Sequence, residues 1–179
     1  MTPYDALLDE IRQEFPGFRV IPKVESTFMR VLGVVLRVLL GDAFMTEYTT
    51  TLGLTVYTPT EWGEMSEEGR LEVLRHERVH LRQARRYGGL PFSFAYLFLP
   101  FPVGLSWCRA RLEWEAYEES MRATFEYRGA KALSDKHRAW LVGLFVGPSY
   151  GFMWPFRAQV ERWYDEARAR ILAGQPPQE

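Results

Sequence analysis

The chain has 179 residues and 47% hydrophobic content, enough apolar material for the core of one domain. Its 22 basic and 23 acidic side chains leave a formal net charge of −1, which argues against a nucleic-acid partner. One cysteine, Cys108, excludes an intramolecular disulfide, and there are no internal repeats.

Residues 1–15 read as an acidic amphipathic helix rather than a signal peptide. Residues 18–22 suggest a short strand and 26–40 a second helix, whose Arg30 and Arg37 argue against a membrane span. Residues 44–59, FMTEYTTTLGLTVYTP, are rich in Thr, Tyr and Val, types enriched in strands. Leu52, Leu54 and Val56 alternate with Gly53, Thr55 and Tyr57, the period of a half-buried strand. Gly53 suits either a bulge or a tight hairpin between 45–51 and 54–58, and Pro59 ends the run. A strand with one open edge can accept a peptide by backbone pairing, although an ordinary sheet strand carries the same pattern.

The next helix is the most informative. Ser66 suits an N-cap, Glu67 and Glu68 suit the first turn, and Gly88, Gly89 and Pro91 stop the helix after Tyr87. Within it stands His76-Glu77-Arg78-Val79-His80, using two of the chain's three histidines. Residues i and i+4 share a helix face, so both imidazoles can reach one metal ion. At 100° per residue, Val73, Leu74, Leu81 and Ala84 form an apolar sector that includes Glu77. His76, His80, Gln83 and Tyr87 form a stripe beside it, and Arg75, Arg78, Arg82, Arg85 and Arg86 gather opposite. That arginine side reads as a solvated face rather than a phosphate site.

Zinc in a hydrolase usually takes three protein ligands and keeps one position for water. The remaining histidine, His137, sits in a polar stretch and is a poor third ligand. Residues 109–128 have helical spacing, and on the same wheel Glu113 falls with Ala110, Tyr117 and Met121. Glu115, Glu118 and Glu119 fall with Arg111 and Arg122, on the side that reads as water-facing. A buried carboxylate needs a cation, and a metal or an arginine can supply it.

His76-Glu77-x-x-His80 followed by Glu113-x-x-Ala116-Tyr117 resembles the zincin metallopeptidases of the gluzincin type. With Gln83, the HExxHxxQ form is most similar to small bacterial and phage proteins of that kind. The resemblance spans about residues 44–120, and its strong identity lies in the two motifs. It implies Zn²⁺ held by His76, His80 and Glu113, with Glu77 as general base and a peptide or protein as substrate. It also implies an edge strand just before the first helix that pairs with extended substrate. Many gluzincins have an aspartate where Tyr117 stands here.

Two apolar runs, 89–107 and 140–156, are short and broken by Pro and Gly, which points to core rather than membrane. Their aromatics, among them Phe92, Phe94, Tyr96, Phe98, Trp140, Phe145 and Trp154, are expected behind the metal-binding helices. Tyr150, flanked by Gly147 and Gly151, is the candidate donor to a developing oxyanion, with Tyr117 and His137 as further candidates. An amphipathic helix follows at about 155–173. The rival di-iron site needs a second ExxH, and position 134, three before His137, is Ser.

The sequence therefore predicts an α+β fold: one mostly helical, zincin-like domain over 1–172, with a small β-sheet ahead of the HExxH helix and a flexible tail at 173–179. The expected function is zinc-dependent peptide hydrolysis in the cytoplasm, catalysed by Glu77 with Tyr150. The alternative is a catalytically silent binding or scaffold protein.

Overall fold

A computed structural model of the chain describes residues 2–88, 106–148 and 151–174. It is α+β, mostly helical, with a three-stranded sheet ahead of the long helices. The chain forms two compact units, Met1–Ser93 and Phe94–Glu179.

In the first unit, α1 (Pro3–Glu14) begins with a capping box. The Thr2 hydroxyl accepts from the Asp5 N–H, and the Asp5 carboxylate accepts from the Thr2 N–H. Leu7 and Ile11 of this helix cluster with Leu71, Leu74 and Leu81 of α4 (Glu67–Tyr87) and with Val56. Strand β1 (Arg19–Pro22) runs parallel to β3 (Thr55–Thr58), and β2 (Thr50–Leu52) pairs antiparallel with β3, opposing Thr51 to Val56. Gly53 supplies the positive φ, 60°, of the tight hairpin between β2 and β3. Helix α2 (Thr27–Leu40) buries Met29 and Leu32 and exposes Val31, Val34 and Val35.

Two expectations change here. Residues 44–46, read from sequence as the start of a strand, lie instead in the short helix α3 (Ala43–Thr46). The Phe44 and Tyr48 carbonyls both accept from the buried Lys23 ammonium. In a strand, carbonyls four residues apart would be separated by about 13 Å and could not share one donor. The strand nearest α4 in sequence, β3, is the middle of the sheet, in the order β1-β3-β2. Among the described residues, β2 is an edge instead.

The second unit contains α5 (Trp107–Arg128), α6 (Asp135–Val146) and α7 (Arg157–Leu172). Ala110, Trp114, Tyr117 and Met121 of α5 recur at helical spacing and enter one core with Leu141 and Phe145 of α6 and Tyr164 of α7. The Phe145 ring lies 5.8 Å from that of Trp114 and 5.6 Å from that of Tyr117. Part of the second apolar run is thus core, while Trp140 is exposed. Residues 89–105, with Phe92, Phe94, Tyr96 and Phe98, lie outside the described residues. Among the described residues no helix is long and apolar enough to cross a membrane.

Glu118 also departs from the sequence reading. It is buried rather than water-facing, and accepts from Arg122 at 3.0 Å and Arg170 at 2.8 Å. The helix wheel holds Arg122 but not Arg170, which arrives from α7 to complete the charge pairing that burial requires.

Candidate metal centre

Helix α4 is built as its ends predict. The Ser66 hydroxyl accepts from the Gly69 N–H, Glu67 and Glu68 occupy the first turn, and Gly88 closes the helix at φ 112°. Leu71, Leu74, Leu81 and Ala84 are buried, and Glu77 is buried among them with 6% of its surface exposed. His76 and His80 are half-buried.

The two histidines present their Nε2 atoms to one another at 3.1 Å. Two nitrogen ligands at zinc's usual bond lengths in a tetrahedral site stand about 3.3 Å apart. The His80 Nδ1 lies 2.9 Å from the Gln83 amide oxygen, which can only accept. That contact places the ring proton on Nδ1 and leaves the Nε2 lone pair available as a ligand. Glu113, on α5, is buried, and one of its carboxylate oxygens completes the group. The ligand atoms of His76, His80 and Glu113 lie within 4.8 Å of one another, so these residues can hold a metal ion. Two imidazoles and a carboxylate form a donor set that suits zinc.

Glu77 accepts from the Thr51 hydroxyl of β2 at 2.6 Å. Lys23, fully buried, lies over the Phe44 ring, 3.8 Å from its centroid. Burial pushes its pKa down to about 7, against the opposing pull of the Glu77 charge.

The arginine side of α4 is not simply solvated. Arg78 and Arg82 each donate from Nε to Glu14 of α1 at 2.7 Å, Arg85 lies 3.6 Å from it, and Arg78 also reaches Glu10 at 3.1 Å. The Arg82 hydrogen bond, with help from Arg78, holds the Glu14 carboxyl down at about 2. Helices α1 and α4 are thereby tied together on the face away from the histidines.

Of the other candidates, His137 and Tyr117 are among the described residues. His137 packs on Trp140, and its Nδ1 lies 3.0 Å from the Tyr164 hydroxyl. Burial lowers its pKa. It does not belong to the metal-ligand group found among the described residues. Tyr117 is a core residue, stacked edge-on with Phe145. Tyr150 lies outside the described residues. Sequence reasoning placed Gln83 beside the histidines without giving it a role, although its i+3 spacing from His80 was visible. It missed Lys23 and Thr51, whose partners are distant in the chain.

No protein-family model, curated protein or solved structure matches this chain.

Proposed function

We propose that this chain is a zinc-dependent metallopeptidase of the gluzincin kind. The observation that carries the reading is that His76, His80 and a buried Glu113 could together hold a metal ion, beside a buried Glu77 that is not in the ligand group. Zinc held by His76, His80 and Glu113 would polarise a scissile carbonyl and make water a better nucleophile. Glu77 takes the proton from the attacking water and passes it to the departing amine. Gln83 holds His80 in the tautomer that binds metal, and the apolar sector of α4 keeps bulk water away from Glu77. Among the described residues β2 is an edge strand, and an edge strand can accept an extended peptide by backbone pairing, which favours a peptide as substrate.

Elemental analysis of the purified protein, run beside hydrolysis of a fluorescently labelled denatured protein, tests the reading. Wild type carries one zinc and cleaves, whereas Glu77→Gln keeps the zinc and loses cleavage by orders of magnitude. Cleavage retained by Glu77→Gln refutes the mechanism. Zinc binding without cleavage of any substrate in a broad screen points to a scaffold instead.

A further inference from the structure

We infer that Thr51 is a positioning residue that orients the Glu77 carboxylate for proton transfer, an inference that rests on the peptidase reading above. The terminal torsion of a glutamate is broad, so its rotamer alone does not fix the plane of the carboxylate. A general base needs that plane fixed, because it must meet a proton at one oxygen and release it in the direction of the leaving group. Burial leaves Glu77 without bulk water to solvate it, and a protein donor must serve. The Thr51 hydroxyl has one proton, and it is directed to Glu77 Oε2 at 2.6 Å, a short O–H···O hydrogen bond.

Thr51 is itself held in place. It is the central residue of β2, opposite the fully buried Val56 of β3, and its β-branched side chain has few rotamers. The segment leading into β2 is anchored by Lys23, whose ammonium binds the Phe44 and Tyr48 carbonyls just upstream. One element therefore holds Oε2, and Oε1 becomes the proton acceptor. In the reaction the water oxygen bonds to the peptide carbon, its proton moves to Glu77 Oε1, and the C–N bond breaks as that proton passes to the departing nitrogen.

The test compares the full-length, zinc-loaded wild type with Thr51→Val, which keeps the shape and removes the hydroxyl, and Thr51→Ser, which restores it. With the labelled denatured protein as substrate, Thr51→Val lowers kcat about tenfold at unchanged KM and zinc content, and Thr51→Ser recovers most of the loss. At fixed pH, the ¹³C carboxyl resonance of Glu77 (identified by its disappearance in Glu77→Gln) moves in Thr51→Val and returns in Thr51→Ser. A kcat and a Glu77 resonance that both match wild type in Thr51→Val overturn the inference. Should wild type show no hydrolysis, the peptidase reading fails separately, and an unmoved resonance in Thr51→Val would still overturn the placement of Thr51. If Thr51→Val does not fold, Thr51→Ala against Thr51→Ser gives the same comparison.

Discussion

The charge cluster between α1 and α4 offers a direct test of how the metal-bearing helix is held. Glu14→Gln keeps the size of the side chain and removes the charge shared by Arg78, Arg82 and Arg85. In the folded protein the carboxyl sits at about 2 against an ordinary 4.5. At about 1.36 kcal/mol per pH unit, that difference sets a ceiling of about 3 kcal/mol. The Glu14 side chain is only 18% exposed, but Arg82 and Arg85 are 51% and 60% exposed, so water screens part of the interaction. About 1–2 kcal/mol is the expected loss at pH 7. Because the folded pKa is depressed, the folded state binds this proton more weakly than the unfolded chain does. The stabilisation is complete above about pH 4.5 and is lost as pH falls toward 2. Urea unfolding at a series of pH values should show wild type above Glu14→Gln at pH 7, with the gap closing between pH 5 and pH 2. A gap of equal size at pH 7 and pH 2.5, or a Glu14 carboxyl that titrates near 4.5 by NMR, would refute the assignment.

His76→Ala and His80→Ala should each abolish stoichiometric zinc binding by elemental analysis, and Glu113→Ala should weaken it severely while Glu115→Ala leaves it intact. Gln83→Leu, which frees the His80 ring to adopt the wrong tautomer, should weaken zinc affinity by about 10- to 100-fold in a competition titration with a chelator. Lys23, with its pKa lowered to about 7 by burial, binds its proton more weakly folded than unfolded. Its contribution to stability should rise from about pH 7 to the ordinary lysine value of 10.5 and stay flat below pH 7. Lys23→Met should remove that rise from the pH dependence of the urea midpoint.

The parts of the molecule that sequence alone determined are those in which cause and effect lie within a few turns of chain. Ser66 caps α4 because its hydroxyl needs only the N–H three residues on, and Gly88 ends the helix because its backbone alone takes a φ of 112° without strain. His76 and His80 share a face because a helix repeats every 3.6 residues, and the same period puts Glu113 on the buried side of α5. Tertiary structure decided whatever needed a partner from far along the chain. Glu118 sat among arginines on the wheel and is buried because Arg170, 52 residues away, helps neutralise it. The arginine side of α4 pairs with Glu14 because α1 lies against it, although in sequence it looked like an ordinary solvated face. Residues 44–46 stand at the start of a Thr- and Tyr-rich run yet are helical, and the distant Lys23 binds the Phe44 and Tyr48 carbonyls together, which no local spacing announces. No spacing rule links Thr51 to Glu77, since one is on a strand and the other on a helix 26 residues later, and only folding brings the hydroxyl to the carboxylate.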